Sequence, residues 1–357
     1  MLLTPLTRHQ TTAPGMDRIR SADTFRVLAI VAVIALHTAR HDGERAVGHG
    51  WDLPTLLDGA ERFAVPLFFI LSGYFWARGG AGPHARWLRA LRLCRRVLTV
   101  YAGWVLVYAA VGAIGAIWNA GMPAALHELA AAWRGNRMGV QRVLLEGLTP
   151  HLWFLPALAC AVVISGALLA RRQRALLIAL AIVLFALGLA GKAYALTPLG
   201  WPTRFNLRDG PFFGLLFFVT GIELRRWRLP ATAWPGLLVA LAGCALQLLE
   251  VRWLHLRFGA APVQDFVAST WLYGLGAGLM ALSDAPALRL PALAALGPLV
   301  LGIYASHYLF VDWLRPLDER WRAWPAWDVL YIALVFAGAL ALTRLLARWR
   351  PGRRLVM

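Results

Sequence analysis

Two side chains equipped for chemistry stand near the start of this chain, on one apolar run from Ser21 to His37. Arg26 breaks the run and His37 closes it. On a helix, eleven positions at about 100° each bring Arg26 and His37 to within about 20° of one another, and the rise sets them roughly 16 Å apart along the axis. That is about half the thickness of a bilayer's hydrocarbon core. A guanidinium stays charged and recognises anions, whereas an imidazole with a pKa near ~6.5 takes a proton from a hydroxyl at neutral pH. With Asp23 just ahead of them, these are the candidate catalytic residues. A plain alternative stands beside this: Arg26 snorkelling to one interface and His37 lying at the other. Ionisable groups at a membrane's centre cost ~2.5 kcal/mol or more, so the pair needs a reason in either case.

The remainder of the chain sets the context. It has 357 residues, 59% of them hydrophobic, with 17 Trp and 15% charged residues, which fits a polytopic membrane protein rather than a soluble one. The net charge of +18 comes almost entirely from arginine, but the arginines sit in short clusters between apolar runs. Such clusters are topology signals and argue against a nucleic-acid partner. Cys94, Cys160 and Cys244 have neither disulfide nor metal-ligand spacing, and no metal is expected. The first apolar run follows a polar leader and lacks a small-residue cleavage site, so it is expected to remain as a helix.

The expected fold is an all-α polytopic membrane protein of about ten transmembrane helices in one bundle. They are read at Asp23 to Ala39, Arg62 to Ala77, Val97 to Trp118, His151 to Ala170, Ala175 to Leu189, Pro211 to Leu224, Ala233 to Trp253, Asp265 to Ser283, Ala292 to Leu314 and Trp327 to Leu346. Placing both termini in the cytoplasm gathers the whole positive excess on the inner side, as the positive-inside rule requires. Residues 1–22 then form a cytoplasmic leader, 23–346 the transmembrane domain and 347–357 a basic cytoplasmic tail. The outer connections Arg40 to Glu61, Asn119 to Pro150 and Gly191 to Gly210 are rich in Trp, Pro and Gly and suit loops folded over a membrane site. Ala124 to Leu145 is read as an amphipathic surface helix.

Further blocks carry chemistry or packing. Phe68-Phe69-x-x-Ser72-Gly73-Tyr74 offers a hydroxyl in an apolar wall, or simply a close-packing motif. The inner connection Arg86 to Arg96 sets arginines at helical spacing, suited to phosphates on a ligand or on anionic lipid. His151-x-Trp153-Phe154-Leu155 reads either as a site or as interfacial anchoring, and His307 either as a site or as a buried, hydrogen-bonded histidine. Asp23-Thr24-Phe25-Arg26, ten residues and His37, followed by the blocks above, Arg92-x-x-Arg95 with Tyr101, and Gly302-Ile303-Tyr304-x-x-His307, resemble the integral-membrane acyltransferase 3 family in order and position. Arg208-Asp209-Gly210-x-Phe212-Phe213-Gly214 is similar to a segment of the branch that modifies enterobacterial common antigen, with Asp209 standing where that branch tends to have Asn.

The resemblance implies transfer of an acyl group, usually acetyl from acetyl-CoA as co-substrate, to a hydroxyl of a surface polysaccharide or its lipid-linked precursor, as in xanthan decoration. It implies a multi-pass protein of the bacterial inner membrane, with the bilayer, acetyl-CoA and the glycan acceptor as partners and a homo-oligomer open. Arg92, Arg95, Ser72 and Tyr101 then fall to the cofactor. His151, Trp153, Arg208, Asp209, Glu61 and His307 fall to the acceptor. His37 is the general base or a covalent acyl carrier, with Glu61 or Asp209 orienting imidazole or sugar. The alternative is a transporter or flippase for a glycan or small anion, in which the same arginine and histidine bind cargo.

Overall fold

A computed structural model describes residues 18–38, 53–78, 82–134, 137–227, 229–324 and 326–357. Most of the leader and the Arg40 to Asp52 part of the first outer connection lie outside them. The described chain is built from helices α1 (Arg20–Thr38), α2 (Leu53–Glu61), α3 (Ala64–Ala77), α4 (Pro83–Arg134), α5 (Arg137–Leu145), α6 (Phe154–Ala170), α7 (Arg174–Ala190) and α8 (Pro211–Leu224). It continues with α9 (Trp234–Phe258), α10 (Thr270–Leu282), α11 (Pro291–Ala294), α12 (Val300–Trp313), α13 (Arg315–Trp321), α14 (Trp327–Arg348) and α15 (Arg350–Val356).

Each of the ten apolar runs is helical. Five helical stretches, at 20–38, 83–118, 234–258, 291–313 and 327–348, are long and apolar enough to cross a bilayer, and α6, α7, α8 and α10 are shorter apolar helices. The protein is an all-α membrane protein. Leu106, Leu241 and Leu345 are exposed on α4, α9 and α14, as expected of lipid-facing surface. Exposed Trp227, Trp234 and Trp349 mark one set of helix ends, and Trp253, Trp313, Trp321 and Trp324 mark others, in the manner of interfacial aromatic belts.

Helix α1 is among the well-buried elements. An apolar run interrupted only by Arg26 and free of Gly and Pro favours it, Asp23 complements the positive end of its dipole, and His37 lies in its last turn. It packs against α3, α10, α12 and α14, so Ile30 and Ile34 have no exposed surface at all. One expectation is corrected. The arginines from Arg86 to Arg96 belong to the opening turns of α4, not to a connection, because nothing between Pro83 and Trp118 interrupts helical backbone. Gly121 has φ 77°, with Pro123 just beyond it, so the backbone turns there, ahead of the run from Ala124 to Leu145; within that run the described residues 124–134 and 137–145 are helical.

The pairing of α3 with α8 depends on two glycines. A Cβ at Gly73 would strike the Phe218 carbonyl, and one at Gly221 would strike the Ile70 carbonyl. The Ser-Gly-Tyr block thus serves close helix approach through Gly73. Gly221→Val is expected to lose about 1–3 kcal/mol from overpacking, read as a lower melting midpoint in detergent. Gly112→Ala, where an added Cβ meets nothing within 4 Å, should leave the midpoint unchanged or slightly raised.

Candidate active site

At the N-terminal end of α1, Asp23 is buried and accepts hydrogen bonds from Arg18 Nε at 2.5 Å and Arg26 Nη1 at 2.8 Å. Arg18 also donates to the Ala294 carbonyl at 2.8 Å, tying α11 to the same carboxylate. The Arg26 guanidinium lies 4.7 Å from the centre of the Phe75 ring, which gives its uncompensated face a cation–π contact. These residues form part of the wall of a cavity of about 1090 Å³, which is also lined by Trp76, Arg78, Arg89, Arg92, Arg96 and Arg225. Seven arginines thus face one aspartate. Trp76 Nε1 and Arg89 Nε are buried without a hydrogen-bond partner in the structure. Buried donors are costly when unsatisfied, so a cavity of this charge with donors to spare is built to accept an anion.

At the other end of α1 the chemistry changes. His37 meets His307 of α12 with ring centroids 5.4 Å apart and His151 at 6.2 Å, and His151 and His307 are 4.6 Å apart. Tyr308 closes the group, 5.5 Å from His37 and stacked on His151 at 5.4 Å. The hydrogen bonds define the tautomer of His307. Its Nδ1 lies 2.6 Å from the Tyr304 carbonyl, which only accepts, so Nδ1 holds the proton and Nε2 is a bare acceptor, buried without a partner. His151 is placed by its Nε2 against the Ala305 carbonyl at 3.4 Å, by Tyr304 OH donating to its own carbonyl, and by Tyr108 OH donating to Ala305 at 2.9 Å. His151 and His307 are sealed from solvent, whereas His37 is only half-buried and is the member of the three within a substrate's reach. Among the described residues, no group of three His, Cys, Asp or Glu side chains is arranged to hold a metal ion.

Beside the histidines lies a polar network. The Arg208 guanidinium sits 4.6 Å from the centre of the Trp153 ring and 3.6 Å from Asp265, which also receives Lys192 at 2.7 Å and Arg62 at 3.5 Å. Arg62 continues to Asp58 at 2.6 Å. Asn206 joins Lys192 to Glu146, donating to the glutamate at 3.1 Å. Burial pushes the Asp209 carboxyl up to about 7, reinforced by its hydrogen bond to Glu146 and opposed by Arg208. Burial would raise Glu146 too, but the hydrogen bonds from Asp209 and Asn206 hold it below the usual range. Of the two carboxyls, Asp209 is thus the one whose neutral form is favoured and Glu146 the one whose charged form is favoured. Glu61 is likewise pushed up to about 7 by burial and by neighbouring Asp58. Burial also disfavours charge on Asp265, but Arg208, Lys192 and Arg62 together hold it well below the usual carboxylate range.

The structure brings Asp23, Arg26 and Arg92 together at one end of α1 and His37, His151 and His307 at the other. Trp153, Arg208, Asp209 and Glu61 fall in or beside the polar network. Three of the residues read as cofactor-binding lie outside the cavity wall. Arg95 does not line the cavity; Arg89, Arg92 and Arg96 share one helix face, and Arg95 points away from it. Tyr101 donates to the Val143 carbonyl instead of joining Arg92, and Ser72 lies outside the cavity lining. His151 and His307 are oriented by backbone carbonyls. Sequence reading missed Arg18, Arg78 and Arg225 in the cavity and Glu146, Lys192, Arg62 and Asp265 in the network. Arg89 and Arg96 had a readable signal, the helical spacing with Arg92, whereas Arg18, Arg78 and Arg225 had none.

The described part of this all-α membrane protein thus sets an arginine-lined cavity at one end of α1 and a group of three imidazoles at the other. The chain belongs to the acyltransferase 3 family: the family's sequence model, described as an acyltransferase domain, matches residues 19–344. A curated relative, a serine/alanine racemase of Enterococcus gallinarum, is 26% identical over 252 residues, covering 66% of this chain and 33% of that protein. The chain thus spans about a third of that relative's length. No solved structure matches.

The raised Asp209 and Glu61 carboxyls have a consequence for stability. Each binds its proton more tightly folded than unfolded, so stability falls as pH rises from about 4, the usual carboxyl range, to about 7. Asp209→Asn, which cannot ionise, should flatten that decline in melting midpoints measured between about pH 5 and 8, and an unchanged slope would place the proton elsewhere.

Proposed function

We propose that this membrane acyltransferase moves an acetyl group from acetyl-CoA to a hydroxyl of a surface polysaccharide or its lipid-linked precursor, in a bacterial inner membrane with both termini inside. The observation that carries this reading is the division of labour along α1. Its Arg26 end opens on a cavity whose arginines and spare buried donors suit phosphates, and its His37 end holds the imidazoles.

Acetyl-CoA has an anionic end that needs cations and a thin, largely neutral arm that ends in the thioester. Arg26, Arg92 and Arg96 hold the phosphates by charge-assisted hydrogen bonds. On the face of α1 that joins Arg26 to His37 lie Ile30 and Val33, 0% and 3% exposed, and on α1 the cavity lining goes no further than Arg26. The arm therefore advances as α1 and its neighbours part, and closure behind it keeps water from the thioester.

His37 takes the proton of the acceptor hydroxyl as its oxygen attacks the thioester carbonyl. The carbon–sulfur bond breaks, and the CoA sulfur leaves with the proton returned by the imidazole. In the covalent variant the imidazole is acetylated first and the hydroxyl attacks acetyl-His37. Tyr308 and the bare Nε2 of His307 give the reacting group a polar wall. Arg208, Asp209, Glu146 and Trp153 meet the sugar with donors, acceptors and an aromatic ring.

His37→Ala should cut acetyl transfer by ~10²–10⁴-fold with expression intact, measured with radiolabelled acetyl-CoA and purified protein; wild-type turnover would remove His37 from the mechanism. Arg26→Ala with Arg92→Ala should raise KM for acetyl-CoA roughly tenfold or more, and an unchanged KM would return both residues to topology. For orientation, a cysteine at exposed Arg204, in a chain freed of its three native cysteines, should react with an impermeant maleimide in intact cells. Protection there would invert the assignment.

A further inference from the structure

The arginine-lined cavity has a side chamber. Trp76, Arg89 and Arg225 line both the large cavity and a second one of about 200 Å³, whose wall also includes Arg86, Arg174 and Arg226. Arg174 Nε donates to both Glu223 carboxylate oxygens, at 2.9 and 3.1 Å, and Arg226 lies 3.8 Å from the same group. Glu223 thus positions two guanidiniums at the rim while neutralising one charge. Arg225 donates to the Tyr74 hydroxyl at 3.1 Å and is fixed on the shared wall. The result is a second cationic chamber, five arginines against one glutamate, separated from the first by an indole whose N–H is buried without a partner.

One phosphate-bearing end needs one such chamber. Two chambers with a flat, donor-bearing wall shared between them fit a ligand whose anionic groups sit on two positions of one sugar that also carries a heteroaromatic ring. We infer that the side chamber reads the 3′-phosphate of the CoA donor, with the adenosine against Trp76; this rests on the acetyl-CoA reading above. The placement follows from connectivity. The acyl-bearing arm leaves from the pyrophosphate and must point toward Arg26 and His37, so the pyrophosphate occupies the large cavity. The 3′-phosphate branches from the ribose on the side away from the arm and enters the smaller chamber. A phosphopantetheine arm on a carrier protein has one phosphate and no adenine, and would leave the second chamber without a role. The donor class is thus a free CoA thioester.

The test compares acetyl-CoA with acetyl-3′-dephospho-CoA as donors for the wild-type protein in phosphatidylcholine nanodiscs. The dephospho compound should show a KM at least about tenfold higher, the effect of losing charge-assisted hydrogen bonds to one phosphate. Arg86→Ala with Arg226→Ala, both in the side chamber alone, should collapse that ratio to below about twofold. Equal KM values for the two thioesters in the wild-type protein, with transfer intact, overturn the inference and leave the acetyl-CoA reading standing. Discrimination that vanishes when the discs contain phosphatidylglycerol also overturns it, because a lipid headgroup then holds the chamber. Transfer from neither thioester sinks the underlying reading as well. The wild-type comparison needs no substituted protein, so a variant that fails to fold does not blunt the result.

Discussion

The buried carboxylate of Asp23, clamped between Arg18 and Arg26, is the interaction on which the rest of this structure depends. Breaking a buried ion pair by removing one partner typically costs ~3–5 kcal/mol. Asp23 accepts from two guanidiniums at once. Its Cβ also packs so closely on Gly297 that a side chain there would collide with it. The carboxylate therefore fixes the depth and rotation of α1, the approach of the 297–299 turn, and the direction in which Arg26 faces the cavity.

Rotation of α1 in turn decides where His37 points. Eleven residues on, the same helix face delivers the imidazole to a pocket whose other members come from the turn before α6 and from the middle of α12. Those partners are held by main-chain carbonyls that belong to regular helix and cannot titrate. The group is thus preorganised by backbone geometry, with no carboxylate required to set the His307 tautomer. Such a site changes its hydrogen bonding only if α12 itself moves.

Between the two ends the helix faces packed apolar side chains. On the acetyl-CoA reading proposed above, this separation has a physical logic. A permanently open channel from arginine cavity to imidazole would leak water and protons and expose the donor to hydrolysis. Close helix approach at Gly73 and Gly221 makes the α3–α8 wall of the cavity rigid, which places any opening on the side where α1 meets its other neighbours.

Much of this was legible in the chain alone. The ten apolar runs, the apolar surroundings of Arg26, and the shared face of Arg26 and His37 follow from hydropathy and from the helix repeat, which act locally and leave a periodic trace. Gly73 and the Arg89, Arg92, Arg96 stripe carry the same kind of signal. Tertiary structure alone decided the meeting of His37 with His151 and His307, the convergence of Arg18, Arg78 and Arg225 on the Arg92 stripe, and the nearness of Asn206 to Glu146. Most of these pairs are 60 or more positions apart, and no local propensity records them. They arise because a buried polar group must find its partner somewhere in the bundle, and only the packed arrangement of helices determines which partner is near.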